Sequence, residues 1–452
     1  MSFNETSLYK PIFYQNWKSE TLYNLAIWKN GLAFKKINFN KRGKPVVKIA
    51  ELKNGITSQT KFTNQIFDDV FFLKKGDMVF SWSGNPKTSI DVFWYRLQDG
   101  WLNQHIFKIK EKNRVNKKYF YFLLKYLKPN FVEIAKNKQT TGLGHVTLKD
   151  IKKIIVKIPN TIEEQKQIAS ILSSLVDKIE LNNQINKNLE EIAQAIFKHW
   201  FIDFEFPNEN DEPYKSSGGK MVDSEMGPIP KGWGIANFNA FVNEISNGDW
   251  GKASASDDYE KKVYCMRGAD IPEICKGKKG KMPLRYILEK NLNKKVLCAG
   301  DLVIEISGGS PTQSTGRTTY INQEILSRYD TKLICSNFCK VIKLINKDYC
   351  EYFFLYLTYL YELNIFFNFE NGTTGIKNLD IKNLFEKYKI KVPDELTIIK
   401  FRKIIKGLFR KIQENGYENN KLSSLRDGLL PKLMSGEIRM PINGKVLISK
   451  NN

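Results

Sequence analysis

The sequence has few of the residues on which metal enzymes and secreted proteins depend. Only three histidines occur in 452 residues, and none has the spacing of a metal-ligand set. The six cysteines include no CxxC pair, so reduced thiols that fill small apolar spaces are the simpler interpretation. The first residues, MSFNETSLYK, are polar and carry no signal-peptide core. These absences predict a cytoplasmic protein without a metal site.

Long hydrophobic runs are also missing. The most apolar run, YFFLYLTYLY at 352–361, has about half the length of a membrane-spanning helix. We therefore predict that it forms a buried helix and that the chain has no membrane partner.

Catalytic motifs are absent as well. The sequence has no P-loop, no cofactor-binding glycine motif and no Asn/Asp-Pro-Pro-aromatic tetrapeptide, and GNPK at 84–87 has one proline and no aromatic residue. An enzyme that hydrolyses nucleotides or methylates a flipped base would need such patterns. We therefore expect that the chain is not an enzyme and binds no cofactor of its own. A stand-alone DNA-modifying enzyme is the weaker alternative.

Positive charge is what the chain has in excess. Lys and Arg number 71 against 48 Asp and Glu, for a net charge of +23. Such an excess favours nucleic acid as a partner, and improved solubility is the alternative explanation. A hydrophobic content of 42% and an aromatic content of 13% indicate folded cores rather than disorder.

The sequence contains an internal repeat. TTGLGHVTLKDIKKIIVKIP at 140–159 resembles TTGIKNLDIKNLFEKYKIKVP at 373–393, with an offset of 233 residues from Thr140 to Thr373. Tyr119 matches Tyr352 at the same offset, and KKGDMVFSWSG at 74–84 matches CAGDLVIEISG at 298–308. A period this long excludes solenoids and propellers, and it indicates two copies of one domain-plus-helix unit.

Each copy ends in a long amphipathic helix. Apolar residues at steps of three and four form a stripe in each helix, namely Ile168, Leu172, Leu175, Ile179, Ile185, Leu189, Ile192 and Ile196 in the first and Ile398, Phe401, Ile405, Leu408, Ile412, Leu422, Leu425 and Leu429 in the second. Asn182 interrupts the first stripe, and Asn415 occupies the equivalent position in the second. We expect the helices to pack on each other, with Asn182 facing Asn415 or its neighbours and fixing the register. Separate packing of each helix on its own domain is the alternative.

The predicted fold is therefore α+β (mixed α/β), with two repeated globular domains separated by a pair of long antiparallel coiled-coil helices. The expected layout is a first domain at 1–160, a long helix at 161–206, a linker at 207–229, a second domain at 230–394, a long helix at 395–440 and a tail at 441–452.

Basic loops are the candidate nucleic-acid contacts. Residues 31–61 hold about eight basic side chains against one acidic, and CKGKKGKMPLRY at 275–286 is a second basic stretch placed early in its domain. SWSGNPKTS at 81–89 and SGGSPTQSTGRTTY at 307–320 are predicted to be irregular loops that follow strands. The candidates are Lys41, Arg42, Lys44, Asn85, Lys87, Lys276, Lys278, Lys279, Lys281, Arg285, Gln313 and Arg317. An ordinary solvated loop is the alternative for each stretch.

The chain resembles the specificity (S) subunits of type I restriction–modification systems. Four segments carry the resemblance, in order along the chain: IPNTIEEQKQIASIL before the first helix, AQAIFKHWFIDFEFP at its end, MVDSEMGPIPKGW at 221–233 and LLPKLMSGEI at 429–438. Three departures are His199, an N-terminus without IPxGW, and VPDELTIIKFR, which lacks the Glu-Glu-Gln of the first copy.

The resemblance implies that each domain is a target recognition domain that reads half of a bipartite sequence in double-stranded DNA. It also implies that the helices set the unread gap and carry methyltransferase (M) subunits, two copies being expected, beside a restriction (R) subunit. S-adenosylmethionine, ATP and Mg would belong to those partners. Trp200, Phe201, Leu430 and Met434 at the helix ends are the candidate M-subunit contacts, with capping of the helix pair as the alternative. A non-specific nucleic-acid-binding scaffold is the other non-enzymatic possibility.

Overall fold

The computed structural model describes residues 17–139, 142–310, 313–372 and 377–440. The chain divides into two compact units, the first formed by residues 1–177 and 423–452 and the second by residues 178–422. The TTG segments at 140–142 and 373–375 and the tail at 441–452 lie wholly or largely outside the described residues. No helix in the described ranges is long and apolar enough to cross a membrane.

Within the described residues, the first unit comprises strands β1 to β12, helices α1 to α5, the first part of α6 and the end of α12. Its strands are β1 (Trp17–Thr21), β2 (Ala26–Asn30), β3 (Lys44–Val47), β4 (Phe62–Thr63), β5 (Phe72–Leu73), β6 (Met78–Ser81), β7 (Ser83–Gly84), β8 (Asp91–Trp94), β9 (Gly100–Leu102), β10 (Ile106–Glu111), β11 (Gly144–His145) and β12 (Ile155–Pro159). Its helices are α1 (Ile49–Asn54), α2 (Pro86–Ser89), α3 (Lys117–Tyr126), α4 (Lys128–Asn137), α5 (Leu148–Ile151) and the start of α6 (Ile162–Phe201).

The second unit continues from α6. Its strands are β13 (Met221–Val222), β14 (Ile229–Pro230), β15 (Gly234–Asn237), β16 (Val242–Asn247), β17 (Lys261–Met266), β18 (Leu284–Ile287), β19 (Leu302–Glu305), β20 (Ser307–Gly308), β21 (Thr318–Tyr320), β22 (Lys332–Cys335), β23 (Cys339–Leu344), β24 (Glu370–Asn371), β25 (Lys377–Leu379) and β26 (Lys389–Val392). Its helices are α7 (Ile271–Cys275), α8 (Glu289–Lys295), α9 (Gln323–Leu326), α10 (Cys350–Glu362), α11 (Ile381–Lys387) and most of α12 (Glu395–Met434).

Two sheets organise the first unit. An antiparallel sheet has the order β2-β10-β6-β8, and a mixed sheet has the order β4-β3-β9-β5, in which β3 and β9 are parallel. β1 pairs with β12 next to the start of α6, and β7 pairs with β11. Alternation of apolar and polar residues in β10 suits one buried face, and Phe107 and Ile109 enter the main core with the aromatic helix α3.

The second unit repeats this topology, which confirms the predicted duplication. Its antiparallel sheet has the order β16-β23-β19-β21, and its mixed sheet has the order β18-β17-β22 with β17 and β22 parallel. β15 pairs with β26 before α12, just as β1 pairs with β12 before α6. The run at 352–361 forms α10, and its side chains from Tyr352 to Leu357 are buried, as predicted.

The two long helices have 40 residues each and contact each other. In the second unit Asn182 lies beside Asn419, Asn186 beside Asn415, and Phe201 beside Phe401, so the helices run antiparallel. Mutual packing is therefore confirmed. Each helix also packs on the domain that precedes it, because Ile168 and Leu172 lie in the core of the first unit and Ile398 and Phe401 lie in the core of the second.

At the polar centre of the helix pair, Asn182 meets a neighbour of Asn415, as the prediction allowed, rather than Asn415 itself. Asn182 Nδ2 donates to Asn419 Oδ1 at 3.0 Å, and Asn415 Nδ2 donates to Asn186 Oδ1 at 2.8 Å. Asn182 and Asn415 are equivalent at the 233-residue offset, and so are Asn186 and Asn419. The two hydrogen bonds are therefore equivalent contacts. In an antiparallel pair built from two copies, equivalent residues face each other only at the local two-fold axis, so each of these asparagines instead meets a residue about one turn beyond its counterpart.

Two residues assigned to the apolar stripes are not in the seam. Ile192 is 46% exposed and Leu425 is 51% exposed, so that part of the predicted pattern was wrong. In this part of α6 the buried face runs instead through Leu189, Ala193 and Phe197, as expected when a helix of 3.6 residues per turn drifts from a stripe of period 3.5.

Candidate DNA interface

The basic residues of the first unit lie where a loop enters its mixed sheet. Lys41, Arg42 and Lys44 are all exposed, and Lys44 is the first residue of β3. The Lys44 ammonium lies 5.0 Å from the centroid of the Phe72 ring. Gly43, with φ of +125°, lies so close to Thr63 that a Cβ would come 2.3 Å from the Thr63 carbonyl oxygen. The backbone of this loop is therefore closely packed against Thr63, and its cationic side chains extend from it.

The 81–89 segment follows β6, as predicted, but it is not an irregular loop, because it contains β7 and the short helix α2. Asn85 caps α2, because its Oδ1 accepts from the backbone N–H groups of Lys87 and Thr88 at 3.1 and 3.2 Å. The side chain of Lys87 is exposed in this turn. The cap occupies the acceptor of Asn85, so the amide group that remains for a base contact is its Nδ2 donor.

In the equivalent loop of the second unit, the candidate side chains already have partners within the protein. Arg317 donates through Nε to Glu305 at 2.8 Å and also binds that carboxylate through Nη2, and the Glu305 side chain is 4% exposed. The hydrogen bond with Glu305 raises the pKa of Arg317 above its ordinary value. Arg317 is therefore already held by a buried carboxylate, and its contact with DNA stays a prediction. Gln313 is exposed, and its Nε2 donates to the Tyr361 hydroxyl at 3.0 Å.

The basic segment 275–281 does not occupy the position equivalent to Lys41–Lys44. It follows α7, whose counterpart is α1, so its equivalent in the first unit is the segment after Asn54. The sequence placed both stretches early in their domains, but strand pairing shows that one precedes and the other follows the first helix of the mixed sheet. The two stretches therefore occupy different positions in the repeated fold.

The backbone of this segment is docked on the helix pair. Asn186 Nδ2 donates to the Lys276 carbonyl at 3.3 Å, and Gln413 Nε2 donates to the Ile274 carbonyl at 3.0 Å. A Cβ on Gly416 would lie 1.8 Å from the Gly277 carbonyl oxygen, so only glycine permits this approach. We call these contacts the glycine junction.

The lysines of the segment differ in whether their ammonium groups already have partners within the protein. Lys278 pairs with Glu273 at 3.1 Å, and the Lys279 ammonium lies 5.7 and 5.4 Å from the ring centroids of Tyr264 and Tyr329. The side chains of Lys276 and Lys281 are exposed. These two remain the better candidates for phosphate contact in this segment.

Arg285, on β18 of the second mixed sheet, is held by an aromatic ring. Its guanidinium carbon lies 4.0 Å from the centroid of the Trp250 ring, and that ring is 37% exposed. A planar guanidinium held on an aromatic ring keeps its orientation at little cost in entropy, which suits recognition of a base edge or a phosphate. Trp82 and Trp94, in contrast, stack on Phe107 and Tyr121 within the first unit.

The predicted partner contacts at the helix ends are mostly core residues. Trp200 and Phe201 are 6% and 1% exposed, and Met434 is 1% exposed. Leu430 is partly buried against the first core. From the sequence alone, a large apolar residue that completes a core cannot be distinguished from one that is exposed for a partner. In the structure Trp200, Phe201 and Met434 complete cores.

Sequence reasoning missed the glycine junction and the asparagines that support it. Asn186 and Asn419 belong to the same buried polar group as Asn182 and Asn415. A glycine in the middle of a long helix, as at Gly416, was the available signal, because glycine weakens a helix unless something needs the space.

Sequence comparison agrees with this duplicated architecture. Residues 14–191 and 238–425 each match the type I restriction modification DNA specificity domain. The chain belongs to this family. Among curated relatives, the type I restriction enzyme MjaIX specificity subunit of Methanocaldococcus jannaschii is 28% identical over 75% of this chain and 73% of its own length. The HindI specificity subunit of Haemophilus influenzae is 26% identical over 81% of this chain and 87% of its own length.

A solved structure shares the fold of this family member. The type I restriction-modification S subunit from M. genitalium covers 96% of this chain and 99% of its own, with a TM-score of 0.54 and 15% identity. At that identity the likeness concerns the fold alone.

Proposed function

We propose that this chain is the DNA specificity subunit of a type I restriction–modification complex, in which each unit contributes one recognition domain that reads half of a bipartite target. The observation that carries the proposal is that one topology occurs twice while the loops at equivalent strand ends differ in sequence and contacts. Two different reading surfaces on one repeated framework suit a target with two different halves. The helix pair would set the unread gap between those halves.

The candidate contacts sort into positioning and reading groups. Lys41, Arg42 and Lys281 are exposed cations on loops, and Lys87 is exposed on the short helix α2. Such groups mostly hold phosphates. Arg285 on Trp250 is the candidate for reading a base, because an oriented guanidinium can bind guanine through two hydrogen bonds.

Methylation and cleavage would be carried out by partner subunits. An M subunit would supply S-adenosylmethionine chemistry, and an R subunit would use ATP and Mg, while this chain selects the sequence and catalyses nothing itself. A cytoplasmic location follows from the same role.

The helix surfaces support two M-subunit positions. Ile171 and Ile404 are equivalent at the 233-residue offset and are 37% and 41% exposed, and Ile192 and Leu425 are equivalent and also exposed. The first unit holds Ile171 and Leu425, and the second holds Ile192 and Ile404. Each unit thus has one exposed apolar residue from each helix, which is what two copies of one partner would require.

The decisive experiment is to co-express the chain with its M subunit and map the methylated sites across a genome. A split motif with a fixed gap is expected. Selection from a random DNA pool with the same complex serves as a second measurement, and no enrichment would favour a non-specific scaffold. Methylation or cleavage by the purified chain alone would contradict the assignment of catalysis to partners.

Partner stoichiometry can be tested on the helix surfaces. The double variant Ile192→Asp with Ile404→Asp should reduce bound M subunits from two to one, as measured by native mass spectrometry. Leu396→Asp is the matched control, because Leu396 is 73% exposed on α12 and its counterpart at the offset is Glu163. Two M subunits retained on the double variant would place the partner elsewhere.

A further inference from the structure

Two strongly exposed isoleucines lie on neighbouring loops of the first unit. Ile37 is 82% exposed and Ile66 is 89% exposed. Single apolar residues on a surface are ordinary and need no explanation. These two differ because the structure joins the loops that carry them.

The joint lies directly beside both isoleucines. Asn38 Nδ2 donates to Gln65 Oε1 at 2.8 Å, and the Asn40 backbone N–H donates to the Phe62 carbonyl at 2.8 Å. Ile37 precedes Asn38, and Ile66 follows Gln65. Both isoleucines are therefore held at the same end of the paired loops, and we call Ile37 and Ile66 the isoleucine tip.

Aromatic side chains of the same two loops contact one another and the mixed sheet. The Phe34 ring lies 6.5 Å from Phe39 and 5.1 Å from Phe67 between centroids, and Phe67 lies 5.2 Å from the buried Trp101 of β9. Phe67, the neighbour of Ile66, thus packs against the sheet, while both isoleucines stay exposed. A tip held in this way loses little conformational entropy when it binds a ligand.

The sequence around the tip is basic. Residues 31–66 contain eight basic residues: Lys35, Lys36, Lys41, Arg42, Lys44, Lys48, Lys53 and Lys61. The single acidic residue in this range, Glu51, is 5% exposed, and its carboxylate accepts from the Lys48 backbone N–H and the Thr60 hydroxyl. Apolar residues within a positive surface suit a ligand with a charged backbone and apolar parts in its grooves, which describes duplex DNA.

We propose that the isoleucine tip enters a groove of the DNA half-site read by the first unit and contacts its bases through apolar surface. Lysine and arginine side chains around it hold the phosphates. The apolar surface of a base is offered by the thymine methyl group or by a base face exposed at an opened step. This inference rests on the proposed function, and it assigns a base contact to residues that carry no hydrogen-bonding group.

The test uses the full chain assembled with its M subunit and a duplex that carries the mapped motif. The double variant Ile37→Ala with Ile66→Ala should bind this duplex about tenfold more weakly, because two apolar contacts are removed. The slope of log K against log salt should not change, since no charge is lost. Ile27→Ala, a residue that is 54% exposed on β2 of the same unit, is the control and should bind normally.

A second arm identifies the apolar partner. Replacing each thymine of the first half-site by deoxyuridine removes only its methyl group. If the tip touches a thymine methyl, one such replacement should weaken the wild-type complex and leave the double variant unaffected. If every replacement is neutral while the double variant still binds weakly, the contact is with a base face.

Two outcomes would overturn the proposal. Normal DNA affinity of the double variant would exclude a base contact at the tip, and loss of M-subunit co-purification would show that the tip binds protein. Thermal unfolding separates these results from misfolding, because exposed side chains should leave the midpoint unchanged. If the wild-type complex selects no split motif, the proposed function fails; if it does and the double variant behaves as wild type, only this inference fails.

Discussion

The two units keep their antiparallel sheets in common but attach their mixed sheets differently. In the first unit the loops at the edge of the mixed sheet pair with each other, through Asn38 and Gln65. In the second unit the segment after α7 is docked on the helix pair through Gly277 and Gly416. Duplication has thus kept the strands that form the core, while the parts that face a ligand have diverged.

A second difference lies within the antiparallel sheets. Asp91 faces Ser81 across β6 and β8, and Arg317 lies at the equivalent position opposite Glu305. Asp91 binds the ammonium groups of Lys125 and Lys128, whereas Arg317 binds Glu305. The same place therefore holds an ion pair in both units, but with the signs exchanged and the partners on different elements.

The largest effect is expected from exchanging a whole domain. Replacement of residues 230–394 by the equivalent domain of a relative should change one half of the methylated motif completely and leave the other half intact. Each unit has its own core, so neither should depend on the other for its reading surface. Mapping methylated sites measures the result, and a change in both halves would contradict independent reading.

The glycine junction can be broken with one methyl group. Gly416→Ala places a Cβ against the Gly277 carbonyl and should destabilise the second unit by about 1–3 kcal/mol in thermal or urea unfolding. Gly407→Ala lies in the same helix with nothing within 4 Å of the new Cβ, and it should stabilise the protein by up to about 1 kcal/mol. Equal effects of the two variants would show that the close approach is unimportant.

The Asp91 cluster predicts a pH dependence specific to the first unit. Burial alone would raise the pKa of Asp91, but Lys125 and Lys128 more than offset burial and hold the pKa below its ordinary value. The stabilisation is therefore present above about pH 4 and is lost as the pH falls through the lowered pKa. Asp91→Asn should cost about 1–3 kcal/mol at pH 7, and its difference from wild type should shrink in strong acid. A difference that is independent of pH would exclude this electrostatic role.

The smallest effect concerns single phosphate contacts. Lys41→Ala should reduce the slope of log K against log salt for DNA binding by about 0.9 if Lys41 neutralises one phosphate. Lys278→Ala should change the slope less, because Lys278 already pairs with Glu273. The reverse order would mean that the docked segment, rather than the paired loops, carries the phosphate contacts.

Much of the architecture was predictable because it depends on periodic patterns. The repeat at 233 residues, the buried aromatic helix at Cys350–Glu362 and the two long helices all follow from apolar spacing that survives in the sequence. The candidate contacts were less predictable, because a basic loop has no periodicity. The side chains of Lys276 and Lys281 are exposed, but Arg317 binds the buried carboxylate of Glu305, twelve residues earlier in the chain.

The sequence by itself determined the duplication, the fold class and the family, because apolar periodicity and matched segments are local properties that a chain displays directly. Only the tertiary structure decided which asparagines meet, which large residues at the helix ends are buried, and where the segment 275–281 docks. Those outcomes depend on the register of two helices and on the order of strands in a sheet. Both are set by contacts between residues far apart in the chain, such as Asn186 with Asn415 and Gly277 with Gly416.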